Sequence, residues 1–161
     1  MLSIITVTYN NFDDLYRTLN SLNKVKGIEK VVVNGGECLK TKEYLSTFDG
    51  IAISEPDKGI SDAFNKGVTH ASGDNVMFLN SGDILLSSDY LHEAEKIINF
   101  NPEISFVHSD LVFEDRISGD IRLTALQPFF FKAPPLGRGM PYHHQSMIVR
   151  KKVFEKTGLF K

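Results

Sequence analysis

Short runs of apolar residues, many of them β-branched, recur along the first eighty residues of the chain. They cover residues 2–8, Val31–Val33, Ile51–Ser54 and Asn75–Leu79. Continuous apolar runs of this length are typical of strands that are buried on both faces of a sheet. The pattern therefore predicts four buried strands.

Segments with helical spacing separate these runs. Apolar residues recur every three to four positions in Phe12–Leu22, after an Asn10-Asn11 pair that can cap a helix. Further helices are predicted over residues 39–48 and 60–71, and a fourth around Leu91–Ile98. Buried strands that alternate with helices predict an α/β fold, with a mainly parallel sheet and helices on both of its faces.

The pattern changes after residue 104. Phe106–Phe113 and Ile121–Leu126 flank Ser118-Gly119-Asp120, which predicts a β-hairpin. A proline-rich loop is expected over residues 128–142, and Gln145–Val149 returns to a strand pattern. The C-terminal third is therefore expected to contribute a hairpin and a mixed-sheet region.

Composition narrows the class of protein. The 161 residues suggest one domain, and a net charge of −2 gives no indication of a nucleic-acid partner. Cys38 is the only cysteine, so it forms no internal disulfide and fits a reducing compartment. The first apolar run is short and lacks a basic leader, which favours a strand over a signal peptide, and no stretch reaches the ~20 apolar residues of a membrane span. We expect a cytoplasmic protein.

Polar and turn-forming residues follow each predicted strand. They are Thr8-Tyr9-Asn10, Asn34-Gly35-Gly36, Glu55–Gly59 and Asn80–Asp83. Ligands of open α/β sheets bind beyond the carboxyl ends of the strands, so these residues predict one polar pocket. The alternative is that Gly, Asn and Asp only form turns there.

The sequence lacks the motifs of several families of nucleotide-binding proteins and hydrolases. No Gly-x-Gly-x-x-Gly or Walker A loop follows a strand, and no Gly-x-Ser-x-Gly elbow is present. The glycine-rich, basic opening loop of sugar nucleotidyltransferases is also absent after the first strand.

Four segments together resemble family 2 glycosyltransferases, in particular a branch that builds bacterial surface polysaccharides. They are Thr6–Asn10, Ser54–Gly67, Leu79–Asp83 and His144–Ser146, and their order and spacing carry the resemblance. It implies one GT-A domain over residues 1–161. Residues 1–103 would be the nucleotide-sugar-binding half and residues 104–161 an incomplete acceptor-side half.

The resemblance also implies a reaction. The sugar would pass, with inversion and with Mn²⁺ or Mg²⁺, from a nucleotide-diphosphate donor, expected to be a UDP-sugar, to a glycan or lipid-linked acceptor. Asp83 is the expected metal ligand, because a divalent cation takes oxygen ligands and can neutralise the departing diphosphate. Asn80 and Gly82 stand where the family usually carries aspartates, so metal affinity without nucleotide should be weak.

Donor-binding roles are carried over to the residues that match the family's segments. Tyr9 could stack on the base, and His144 could contact phosphate or sugar, ligate the metal with or without His143, or be structural. The full expected set is Thr8, Tyr9, Asn10, Asn34, Asp57, Lys58, Asp62, Asn65, Asn80, Ser81 and His144.

No motif assigns a catalytic base. His144 and Asp110 are weak candidates, Glu155 lies in a solvated helix, and Lys161 would be protonated. In the family, further sequence bearing the base follows, so the chain looks truncated and the base is expected beyond its C-terminus. The alternative function is a nucleotide-sugar-binding module without efficient turnover. Peripheral membrane association of the full-length protein is also an expectation.

Overall fold

The computed structural model describes residues 1–124 and 143–161. The proline-rich loop expected over residues 128–142, and the last two residues of the predicted strand Ile121–Leu126, lie outside the described residues.

The first hundred residues alternate strands and helices as the hydrophobic pattern predicts. The elements are β1 (Leu2–Thr8), α1 (Phe12–Leu22), β2 (Ile28–Asn34), α2 (Leu39–Ser46), β3 (Ile51–Ser54), α3 (Ile60–His70), β4 (Asn75–Phe78) and α4 (Asp89–Phe100). Asn11 caps α1 by accepting the backbone N–H of Asp14, which satisfies one of the free donors at the helix start.

The remaining elements are shorter. They are β5 (Phe106–His108), β6 (Leu111–Glu114), β7 (Ile121–Thr124), a 3₁₀ turn (His144–Ser146), β8 (Met147–Arg150) and α5 (Lys152–Thr157). The predicted strand Gln145–Val149 is therefore a turn followed by a strand that starts two residues later.

The main sheet has six strands in the order β3-β2-β1-β4-β8-β5. The first four are parallel, and β8 runs antiparallel to both of its neighbours, β4 and β5. The predicted α/β fold with a mainly parallel sheet is confirmed.

Helices cover both faces of this sheet. Buried leucines of α1 and α2, with Leu91, Ala94 and Ile98 of α4, pack on one face together with Ile4 and Met77. Phe64 and Val68 of α3 pack on the other face against Ile5, Val76 and Phe78, and Phe154 of α5 joins them. Neighbouring strand residues such as Ile4 and Ile5 thus serve opposite faces, which is why whole strands are apolar.

The predicted hairpin needs one correction. The expected single strand Phe106–Phe113 is divided: β5 pairs with β8 in the main sheet, whereas β6 pairs with β7 in a separate antiparallel sheet. Packing requires the break, because β5 fills the edge beside β8 while β6 turns away from that edge. The predicted turn is present, with Gly119 at φ 74° and the Asp115 N–H donating to the Asp120 carbonyl at 2.9 Å.

Candidate active site

The strand order creates a crevice between the ends of β1 and β4. From β1 the chain moves to β2 and β3 on one side, and it returns to β4 on the other, so the loops after β1 and β4 diverge. A cavity of about 550 Å³ lies there. Its lining residues follow three of the four predicted strand ends, and they are Val7, Thr8, Tyr9, Asn11, Asp57, Gly59, Ile60, Ala63, Asn80 and Ser81.

Thr8, the last residue of β1, and Tyr9, which follows it, differ in solvent exposure. Thr8 is buried, and its hydroxyl is 3.5 Å from Ser81 Oγ, which joins the ends of β1 and β4. Tyr9 is 69% exposed at the cavity. An exposed ring at a cavity wall is free to stack on a planar ligand.

Asn10 and Asn34 are not among the residues that line the cavity. Asn10 has φ 50°, and its Oδ1 accepts the N–H groups of Glu37 at 2.8 Å and Cys38 at 3.0 Å. Asn34 is completely buried, and its amide bonds both backbone polar groups of Gly36 and the hydroxyl of Ser54. In this structure both side chains bond the loops beside the cavity, and their contact with a donor stays a prediction.

The loop between β3 and α3 brings Asp57 to the cavity. Asp57 Oδ1 accepts the Gly59 N–H at 2.9 Å, and Gly35 leaves the space for this carboxylate, since a Cβ there would collide with it. The Lys58 side chain is exposed, and its backbone N–H donates to Asp62 Oδ2 at 3.0 Å.

Asp62 is tied to this loop and to α3. The backbone hydrogen bond from Lys58 and the nearby Lys66 hold the pKa of the Asp62 carboxyl below its usual value. Lys66 in turn lies 3.5 Å from Asp62 and 3.0 Å from Glu55. Asp62 therefore orders the helix start, and its contact with a donor stays a prediction.

Asn65 does not face the cavity. Its Nδ2 donates to the Phe160 carbonyl at 2.9 Å, and its Oδ1 accepts the Phe160 N–H at 2.9 Å. Ala63, two residues earlier on α3, lines the cavity. Successive helix residues are about 100° apart, so Asn65 projects from nearly the opposite side of the helix. In this structure the Asn65 amide contacts the backbone of Phe160, and the expected contact with ribose or base stays a prediction.

Asn80, Asp83 and His144 form a cluster beside the cavity. Asn80 Nδ2 lies 3.2 Å from His144 Nε2, and the Asp83 N–H donates to the Asn80 carbonyl at 2.9 Å. Burial raises the pKa of Asp83, against the lowering effect of the Asn80 backbone bond and of His144. Burial lowers the pKa of His144, and the charge of Asp83 partly opposes that shift.

Two oxygens of this cluster lack partners. Asn80 Oδ1 and Asp83 Oδ2 are buried, and neither has a hydrogen-bond partner within the described residues. Unpaired buried oxygens are costly unless a ligand satisfies them. They fit a divalent cation of the Mn²⁺ or Mg²⁺ type. Residues 1–124 and 143–161 contain no group of three His, Cys, Asp or Glu side chains that could hold a metal, so phosphate and water would supply the other ligands.

The hairpin β6–β7 delivers an arginine that the sequence analysis did not single out. Arg116 Nη2 lies 2.9 Å from Asp14 Oδ1, and a Cβ on Gly82 would be 3.3 Å from the same nitrogen. The hydrogen bond from Arg116 lowers the pKa of Asp14, and the Arg116 charge also acts on Asp83. Nothing in the local pattern around residue 116 indicates this position, because the hairpin reaches the site only through the tertiary fold.

Tyr90 of α4 is a second residue that no sequence pattern indicated. Its hydroxyl donates to the Ser146 carbonyl, and the Ser146 N–H donates to the His143 carbonyl at 3.1 Å, so Tyr90 anchors the turn that carries His144. Burial raises the pKa of Tyr90 to about 12, so the hydroxyl remains a donor.

The weak base candidate Asp110 and the neighbouring His143 both lie off the cavity. Asp110 is exposed between β5 and β6, and the ring of His143 packs edge-on against Phe113 at 5.5 Å. Neither lines the cavity.

Residues 3–158 match the profile of Glycosyl transferase family 2. The chain belongs to this family. An uncharacterized glycosyltransferase of Mycobacterium tuberculosis is 37% identical over 156 residues, which are 91% of this chain and 57% of that protein. A PGL/p-HBAD biosynthesis glycosyltransferase of Mycobacterium bovis is 29% identical over 120 residues, 70% of this chain and 47% of that protein.

Solved structures share the fold. A mannosyltransferase of Pyrobaculum calidifontis in complex with GDP-Man and Mn²⁺ superposes with a TM-score of 0.71 at 16% identity, over 99% of this chain and 47% of that one. Residues 1–349 of S. aureus TarS in complex with UDP-GlcNAc give 0.66 at 19% identity, over 99% and 48%. The chain thus spans about half the length of the relatives and structures that it matches.

The helices were compared with the requirements of a membrane span. Within residues 1–124 and 143–161, no helix combines the length and the apolar character that a membrane crossing requires.

Proposed function

We propose that this chain binds a nucleoside-diphosphate sugar in the crevice between β1 and β4. We also propose that the full-length protein transfers the sugar, with inversion, to a glycan or lipid-linked acceptor. The observation that carries the proposal is the Asn80–Asp83–His144 cluster, whose two unpaired buried oxygens lie beside the 550 Å³ cavity. Family membership supports sugar transfer, and the Mn²⁺ and nucleotide-sugar complexes of the structural neighbours support the donor class.

Asp83 would hold Mn²⁺ or Mg²⁺, with the Asn80 oxygen as a second ligand. A bound cation supplies neutralisation of the charge that develops on the departing diphosphate. His144 Nε2 accepts the Asn80 amide in this structure, so we assign His144 to orienting Asn80 and facing the phosphates. Tyr9 would stack on the base, with Thr8, Ser81 and Asp57 around the nucleoside and Lys58 near the phosphates.

The base that deprotonates the acceptor would lie outside residues 1–161. Support comes from the described cavity wall, where Asp57 is the only carboxylate and is engaged by the Gly59 N–H. The second candidate function, a nucleotide-sugar-binding module without efficient turnover, rests on the same observation. For the full-length protein we propose a cytoplasmic location with peripheral membrane association, which would bring a lipid-linked acceptor within reach.

Titration calorimetry tests the donor proposal. UDP and GDP are each titrated with and without Mn²⁺, and we expect UDP with Mn²⁺ to bind more tightly than either component alone. Asp83→Ala should remove most of the metal dependence. Asp49→Ala is the matched control, because Asp49 is a fully exposed aspartate outside the cavity lining. Equal metal-dependent binding by Asp83→Ala and wild type would refute the assignment of the metal.

A further inference from the structure

Asn65 makes a two-point contact with a residue 95 positions away. Its amide donates to the carbonyl and accepts the N–H of Phe160, each at 2.9 Å, which we call the Asn65–Phe160 clamp. Such a pairing uses the donor and the acceptor of both groups at once, so it fixes position and orientation together. The clamp ties the segment after α5 to the middle of α3.

The clamp holds an aromatic ring against the core. The Phe160 ring centroid lies 5.5 Å from Phe64, 5.5 Å from Phe78 and 5.6 Å from Phe154. Phe160 is nevertheless 40% exposed. Burial alone therefore secures this ring less firmly than it secures a core residue, and the two hydrogen bonds supply the missing restraint.

The same aromatic group reaches the candidate site. Phe64 precedes Asn65 on α3, and its ring lies edge-on to His144 with centroids 5.8 Å apart. On its other side His144 meets the Asn80 amide at 3.2 Å. A continuous path of contacts therefore runs from the clamp through the Phe160 and Phe64 rings to His144 and Asn80.

We propose that Asn65 is a positioning residue for the donor and metal site. It acts through Phe160 and Phe64, which hold His144 against Asn80, and it makes no contact with the donor itself. Asn65, which the family resemblance assigns to ribose or base, would thus support the site through other side chains. This inference rests on the proposed function of the cavity, because the site that Asn65 positions is the proposed donor site.

A double-mutant cycle separates positioning from direct contact. Asn65→Ala and Phe160→Ala should each weaken Mn²⁺-dependent UDP binding by about fivefold. The first removes the two hydrogen bonds to the Phe160 backbone, and the second removes the ring that those bonds hold in place. Because both changes interrupt the same path to His144, the double variant should be no weaker than either single variant. Asn65→Asp keeps the acceptor for the Phe160 N–H but loses the donor, so its loss should be intermediate. Asn101→Ala is the control, since it removes a side-chain amide that bonds the Ile97 carbonyl of α4.

Three outcomes of the titrations overturn the inference. Multiplying losses in the double variant, or full affinity in Phe160→Ala beside weak binding in Asn65→Ala, would place Asn65 on the donor. Unchanged affinity in both single variants with a lowered melting temperature would give the clamp a purely structural role. If Asn65→Ala does not fold, Asn65→Asp and Phe160→Leu complete the same cycle.

A ligand-free measurement keeps this inference separate from the donor proposal. The His144 ring resonances are recorded by NMR at pH 8, which is above the ordinary pKa of an imidazole, ~6.5. They should shift in Asn65→Ala and Phe160→Ala and stay unchanged in Asn101→Ala. If wild type binds no nucleotide, the proposed function fails while this spectrum still decides the inference. An unmoved His144 in both clamp variants would overturn it.

Discussion

The side-chain amide of Asn80 lies 3.2 Å from Nε2 of His144, although 64 residues separate them in the chain. Asn80 follows β4 and His144 precedes β8, and the two strands are antiparallel neighbours in the main sheet. With the amide nitrogen donating to the imidazole, Asn80 Oδ1 is left buried and without a partner in the described part of the chain. The contact therefore leaves an unpaired oxygen on a residue that we propose as a ligand of the cation.

Asn80→Asp should strengthen metal binding in the absence of nucleotide. The substitution places a second carboxylate beside Asp83, and the affinity of hard cations rises with the number of charged ligands, so we expect about a tenfold gain for Mn²⁺. Calorimetry or the Mn²⁺ paramagnetic resonance signal measures it.

Asn99→Asp is the matched control for that gain. It adds the same charge on the exposed surface of α4, away from the cavity lining. A similar gain in both variants would mean that net charge, and not the position of Asn80, controls the affinity.

Arg116→Ala should weaken UDP binding more than uridine binding. The Asp14–Arg116 pair is partly exposed, and such pairs are worth only ~0–1 kcal/mol, so the guanidinium can exchange Asp14 for a diphosphate at little cost. We expect a loss of about three- to tenfold for UDP that shrinks at high salt. Parallel titrations of UDP and uridine measure the difference.

Arg122→Ala on the same hairpin provides the comparison for Arg116. Arg122 lies on β7 and is exposed, so its removal lowers the charge of the hairpin by the same amount. Equal losses in the two variants, or an equal loss for uridine, would argue against a phosphate contact by Arg116.

Glu29→Gln should destabilise the protein at neutral pH but not in acid. Burial alone would raise the pKa of Glu29, but hydrogen bonds from Ser3, Ser72 and Gly73 outweigh it and hold the pKa below its usual value. A lowered carboxyl pKa stabilises the fold above the unfolded-state pKa, and that stability is lost as pH falls through the folded-state pKa. We expect a deficit of about 1–3 kcal/mol at pH 7.

Urea unfolding of wild type and Glu29→Gln from pH 7 to pH 3.5 tests this dependence. The two curves should converge as the pH falls through the lowered folded-state pKa of Glu29, because the carboxyl then becomes neutral in folded wild type as well. Glu103→Gln, an exposed glutamate, should follow wild type throughout. A deficit that stays constant with pH would indicate lost packing and not a lost charge.

Sugar transfer should be slow in this chain and faster in a C-terminally extended form. A positioned base commonly contributes ~10²–10⁴-fold, and we propose that it lies beyond residue 161. Slow hydrolysis of the donor should persist, since the cation still assists departure of the diphosphate. Mass spectrometry of the products from both forms measures the ratio. Equal and rapid transfer by both would place the base within residues 1–161.

Local pattern predicted most of the fold. Strands β1 to β4 and the helices between them follow from the spacing of apolar residues. In each of these elements, burial recurs with the period of the helix or strand itself. Parallel strands end at the same edge of a sheet, so the meeting of Thr8, Asp57 and Asn80 at one cavity was also predictable.

The roles of several polar residues were not predictable in this way. Asn10, Asn34 and Asn65 lie in or beside segments that match the family, yet their amides bond the chain itself. An amide serves a ligand or a backbone group equally well, so its partner depends on which group the fold brings within about 3 Å.

The sequence by itself determined the α/β architecture, the polar cavity at the ends of β1 and β4, and membership of a glycosyltransferase family. Only the tertiary structure decided that Arg116 reaches Asp14, that Tyr90 anchors the His144 turn, and that strand Phe106–Phe113 is divided between two sheets. The reason is physical. Periodicity reports how a segment is buried, whereas contacts between distant segments depend on how the whole core packs, which no local pattern encodes.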